Sequence, residues 1–156
     1  MIMNDKEFVN ETKKHILTVG KYINICSKLL FERAITHDQT KMENPEWDIF
    51  KEYTPKLATS TYGSDEYKIF LKEMNIALKH HYENNRHHPE YYENGIKDMT
   101  LIDLVEMLCD WKSATLRHNN GDIIKSIEQN QKRFGYSDEL KQILLNTIKL
   151  IEKEIV

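Results

Sequence analysis

Residues 37–41 read "HDQTK", which sets an imidazole beside a carboxylate and a cation three residues beyond the acid. Imidazole nitrogen and carboxylate oxygen together suit Mn, Fe, Co, Ni or Zn. Neighbouring residues of a regular helix point about 100° apart, so His37 and Asp38 could not reach one ion from inside it. The chain has seven histidines, and six of them are His15, His37 and the cluster His80, His81, His87 and His88. The seventh, His118, falls near a helix C-terminus, where an imidazolium is favourable without any other role. Asp110 stands between Met107 and Ala114 beside Cys109 and Trp111, in a segment short of charge. A carboxylate buried there needs a partner or a metal, because an isolated one is costly to desolvate. Cys26 and Cys109 are too few and too far apart for a structural zinc knuckle.

These side chains need helices to hold them. From Phe8, positions Thr12, His15, Val19, Tyr22, Cys26 and Leu29 follow in steps of four and three, which predicts an amphipathic helix over about 5–33. His15 lies on its apolar stripe. Pro45 is placed to open a short helix through Phe50, and 54–63 reads as loop. Ser64 caps a second long helix reaching about Tyr82, with Phe70, Met74, Ala77 and His81 along one face. "ENNRHHPEYYENGIKD" is a connector interrupted by Pro89 and Gly95. Thr100 and Asp103 form a T-x-x-D capping box for the helix carrying Asp110, which gives Asp103 a sufficient structural role. A fourth helix covers about 122–134 and ends at Gly135; Ser137 caps the last, to about Ile151. Strand-like alternation is nearly absent. The expectation is one all-α domain over 1–156, a compact bundle of five or six helices.

The composition agrees with a folded globular protein: 156 residues, 40% hydrophobic and 30% charged, net charge −3. That charge gives no global basic field for duplex nucleic acid. Two cysteines do not make a disulfide scaffold and suit reduced thiols. No apolar run approaches the ~20 residues of a membrane span, and the acidic start lacks a signal-peptide core. A cytoplasmic protein is expected.

The ordered stretches "HILTVGKY", "THDQTK", "LKHHYENNRHHPEYY" and "EMLCDWKSA" resemble the H…HD…H…H…D order of the HD-domain superfamily. More narrowly, residues 10–118 resemble a group of short HD-like proteins of phages and bacteria. These share HD-x-[ST]-K, H-Y-x-x-N-x-H-H-P-E and D-W stretches. The resemblance implies that the HD doublet terminates a helix, so that both side chains can turn to an ion. It implies one ion on His15, His37, Asp38 and Asp110, with Asp38 bridging to a second on His81, His87 and His88. Either His87 or His88 could contact substrate instead. His80 points toward solvent and is left out. Glu90 is expected to accept from a ligand imidazole, and Arg33, Lys41 and Arg86 to pair with substrate phosphate; Lys41 could instead meet a carboxylate beside the ions.

One or two such divalent ions support phosphoester hydrolysis by a metal-bound hydroxide, with Asp38 and Lys41 as catalytic residues. The expected substrate is a nucleotide or other small phosphate ester. A di-iron oxygenase resembling myo-inositol oxygenase is the alternative the extra histidines keep open. A non-catalytic HD-like protein that binds a nucleotide or a partner is another, and a helical module without a ligand is the plainest.

Overall fold

The computed structural model describes residues 3–61, 63–117 and 121–155; His118 lies outside them. Seven α-helices and three short 3-10 turns occur among the described residues, and no strand. The chain divides into two compact units, residues 1–36 and 37–156.

The first unit is a single helix, α1 (Asp5–Thr36). Asn4 and Glu7 start it by exchanging backbone-to-side-chain hydrogen bonds of 3.1 Å each, which occupies two of the free N–H groups at the helix end. Described by itself, this unit buries none of its residues, the stripe through His15, Val19 and Tyr22 included. A lone helix has nothing of its own to bury a stripe against.

The second unit holds α2 (Glu46–Thr59), α3 (Asp65–Glu73), α4 (Asn75–Asn84), α5 (Leu101–Thr115), α6 (Ile123–Phe134) and α7 (Asp138–Ile155). Their ends follow the local chemistry of the sequence. Ser64 accepts from Tyr67 N–H at the start of α3. Thr100 and Asp103 form the complete capping box of α5, and Gly135 closes α6 at φ 66°. Two expectations change. The helix opened by Pro45 continues to Thr59 through Pro55, where a loop was expected. Proline inside a helix costs roughly 3 kcal/mol, but packing holds it here, with Tyr53 set edge-on to Phe70 at 6.1 Å. The second long helix is two, α3 and α4, because Met74 sits at ψ 2°; bonds from Met74 N to Phe70 O and Leu78 N to Met74 O (2.9 Å each) flank the break. These divisions make seven helices where five or six were expected.

The core of this unit is built by Met107, Leu108 and Trp111 of α5, Ile123 and Ile127 of α6, Tyr136, and Leu144 and Ile148 of α7. Trp111 stacks on Phe134 at 6.3 Å, and buried Tyr136 donates to the Ile127 carbonyl (2.6 Å), so its polar tip is satisfied. Packing α5 against α6 and α7 fixes the helix that carries Glu106 and Asp110. Met74 at the cap of α4 and Ala77 and His81 within it are buried, and α2 packs against this helix. The ends of these two sub-clusters meet at residues 37–41.

Candidate metal centre

His37 follows the last residue of α1, and Asp38 has a left-handed backbone at φ 56°, ψ 18°. That conformation is unfavourable for most L-residues and best tolerated by Asn and Asp. It abolishes the helical separation of the doublet, so both side chains turn to one place. His37 Nε2 lies 3.5 Å from Asp38 Oδ2.

Two overlapping groups of side chains there could hold a metal ion. One is His37, Asp38, His87 and Asp110; the other is Asp38, His81, His87 and His88, with ligand atoms within 4.8 Å of one another in each. Asp38 and His87 belong to both. The two Asp38 oxygens divide between them. Oδ1 lies 3.3 Å from His81 Nε2 and 3.4 Å from His87 Nε2, while Oδ2 faces His37. His37 Nε2 is also 3.7 Å from Asp110 Oδ1, and the Nε2 atoms of His81 and His88 stand 2.9 Å apart.

Asp38 Oδ1 and His87 Nε2 are buried without a hydrogen-bond partner among the described residues. Buried polar atoms are nearly always paired, and an unpaired one costs about 1–3 kcal/mol. A cation between them would satisfy both lone pairs at once, so the residues fit a metal.

Two carboxylates orient the imidazoles from behind. Glu106 Oε1 lies 3.0 Å from His37 Nδ1 and 3.2 Å from His87 Nδ1. Glu46, fully buried, reaches His80 Nδ1 at 2.7 Å and His81 Nδ1 at 2.8 Å. A carboxylate only accepts, so these Nδ1 atoms carry the proton; in the neutral imidazoles of His81 and His87 that leaves the Nε2 lone pair for the centre. Asn85 donates to Thr40 Oγ1 (2.8 Å) and to the His81 carbonyl (2.8 Å), which ties residue 40 to α4.

The charge is arranged accordingly. Hydrogen bonds to Asp110 and then to Glu106 raise His37 to about 10. Burial alone would raise the Asp38 carboxyl, but His81 and Lys41 hold it well below the usual carboxylate range. Asp110 is likewise desolvated, and the His37 bond carries it below its ordinary value. Burial, reinforced by His87 and His81, lowers His88 to about 3, so it is neutral.

Six of the expected ligands therefore come together: His37, Asp38, His81, His87, His88 and Asp110. His15 belongs to the first unit, is exposed, and is in neither group. Arg33 also lies in that unit, in the last turn of α1. Lys41 bonds to Asp38 Oδ2 and stands against the Phe50 ring. His80 is in neither group, in keeping with its omission. Two expectations are corrected. Glu90 accepts from Arg133, not from an imidazole, because the 3-10 turn Pro89–Tyr91 turns it toward α6. Arg86 is committed to Asp103, 3.4 Å away, and to the faces of Tyr91 and Tyr92, so it is not a free phosphate ligand. The acceptors missed in the sequence are Glu46 and Glu106. Glu106 could have been noticed, since it precedes Asp110 by four residues and so shares its helix face.

The fold and cluster define an all-α protein with a His/Asp centre able to hold metal. The chain belongs to the family described as "Family of unknown function (DUF5662)", whose model matches residues 4–153. No curated protein and no solved structure matches it.

Proposed function

We propose that the protein is a metal-dependent phosphohydrolase of HD-domain type, acting on a nucleotide or other small phosphate ester. The observation that carries this reading is the convergence of four imidazoles on Asp38 and Asp110, with Asp38 Oδ1 and His87 Nε2 buried and unpaired at its middle. His37, Asp38 and Asp110 would hold one divalent transition-metal ion and Asp38, His81 and His88 a second, with the single free Nε2 of His87 serving one of the two. Two adjacent ions supply activation of water near neutral pH and polarisation of a phosphoryl oxygen. Asp38 faces both positions through its two oxygens, and Glu46 and Glu106 keep the imidazoles in the ligating tautomer. Lys41, already drawn to Asp38, places its ammonium where an incoming phosphate oxygen needs a partner.

The test is elemental analysis of protein purified without chelator or affinity metal, followed by phosphoester hydrolysis with Mn, Fe, Co, Ni or Zn restored. About two ions per chain and hydrolysis abolished by chelation are expected. No bound metal and no uptake on titration overturns the reading. Four imidazoles among six ligands also suit iron, so the oxygenase alternative rests on the same cluster. Iron content with oxygen consumption and no phosphate release favours it.

A further inference from the structure

A cavity of about 510 Å³ adjoins the centre, lined by Lys41, Trp47, Phe50, Lys51, Tyr67 and Arg117 among others. Side-chain contacts and one helical spacing connect it with the cluster. Lys41 bonds to Asp38 and lies 5.0 Å from the centre of the Phe50 ring. Phe50 in turn meets the His81 ring edge-on at 5.7 Å. Ala114 of the cavity wall is one helical turn beyond Asp110 in α5, on the same face. The volume lies within the usual range for a small-molecule site.

The lining has a definite chemistry. Its charged groups are Lys41, Lys51 and Arg117, with no carboxylate among the lining residues. Lys51 and Arg117 have no ion-pair partner among the described residues. Trp47, Phe50 and Tyr67 add three rings to the same lining. Cations alone would suit any small anion, and rings alone any apolar molecule. Both together, beside a metal-binding cluster, select a phosphate that carries a flat aromatic group.

We propose that this cavity is the substrate pocket and takes a nucleotide, its phosphate toward Lys41 and Asp38 and its base against the aromatic side chains of the lining. The proposal rests on the phosphohydrolase reading for turnover, though not for binding. Arg117 and Lys51 neutralise the phosphate or a second anionic group, and the rings distinguish a nucleotide from a bare sugar phosphate.

The experiment measures equilibrium binding of AMP, UMP, ribose 5-phosphate and inorganic phosphate to the full chain in chelator. It uses the unaltered chain, Trp47→Ala and Arg117→Glu, with metal content determined separately on untreated protein. AMP is expected to bind about tenfold more tightly than ribose 5-phosphate. Each substitution should weaken AMP about tenfold, with melting temperature and metal content unchanged. Trp47 is 41% exposed, so its loss should not unfold the chain. Equal binding of AMP and ribose 5-phosphate, or AMP binding untouched by both substitutions, overturns the proposal. If that happens while the metal-loaded protein still hydrolyses p-nitrophenyl phosphate, the pocket assignment falls and the hydrolase reading stands. If AMP binds as expected to a chain that takes up no metal, the pocket stands and the hydrolase reading falls.

Discussion

The buried carboxylate of Glu46 lies 2.8 Å from Nδ1 of His81, on the side of the ring away from Asp38. It fixes the protonated nitrogen and leaves Nε2 free to ligate. Glu46→Gln keeps the shape but removes the charge that holds this tautomer. Metal affinity should fall about 10–100-fold, with the helices intact by circular dichroism. Glu106→Gln should do the same through His37 and His87. Unchanged affinity in both variants would make these carboxylates purely structural.

Asp38 and His87 are shared by the two groups, whereas Asp110 belongs to one and His81 and His88 to the other. The ion count should separate these cases. Asp110→Ala and His81→Ala should each reduce about two ions per chain to about one. Asp38→Asn should lose both, and with them all turnover, while tolerating the left-handed backbone at this position. His80→Ala should change neither count nor turnover. A full complement of metal in Asp38→Asn would refute the shared site.

The metal-free chain should have a stability maximum near pH 6.5. His37 is held up to about 10 by Asp110 and Glu106, so its contribution is complete below 6.5 and lost as pH rises toward 10. His88 is held down to about 3 by burial, so the unfolded chain takes up the proton first and stability declines from pH 6.5 toward 3. Asp38 and Asp110, both lowered, act in the same direction as His88 on the acid side. Metal must displace the His37 proton, so apparent affinity should rise about tenfold per pH unit above neutrality. Melting curves in chelator and metal titrations across pH 5–9 check both slopes. A metal-free melting temperature that climbs steadily from pH 7 to 9 would contradict the assignment of His37.

Arg86→Ala should behave as a stability variant. Its partner Asp103 is fully buried and also bonded to Thr100, while the Arg86 side chain is 44% exposed. Solvent discounts the pair, and a loss of about 1 kcal/mol is expected in denaturant melts. The KM for a phosphate substrate should stay the same. A several-fold rise in KM would return Arg86 to the substrate site.

Much of the local structure is written in the sequence because short-range chemistry decides it. Ser64, the Thr100–Asp103 box and Gly135 mark helix ends through hydrogen bonds and φ values that involve only near neighbours. The candidate ligands His37, Asp38, His81, His87, His88 and Asp110 could be named in advance from the resemblance in residue order, with His81 and Asp110 also standing out on apolar helix faces. The tertiary structure decided the rest. Glu46 reads in sequence as an ordinary acid in a first helical turn, favourable there for the helix dipole alone. Only the packing of α2 on α4 buries it against two imidazoles. Glu90 and Arg86 lie close to the ligands in sequence, yet Arg133 and Asp103 claim them across the fold. Periodicity identifies the face a side chain occupies, but its partner is set by which helix comes to lie opposite, a long-range contact that no local pattern encodes.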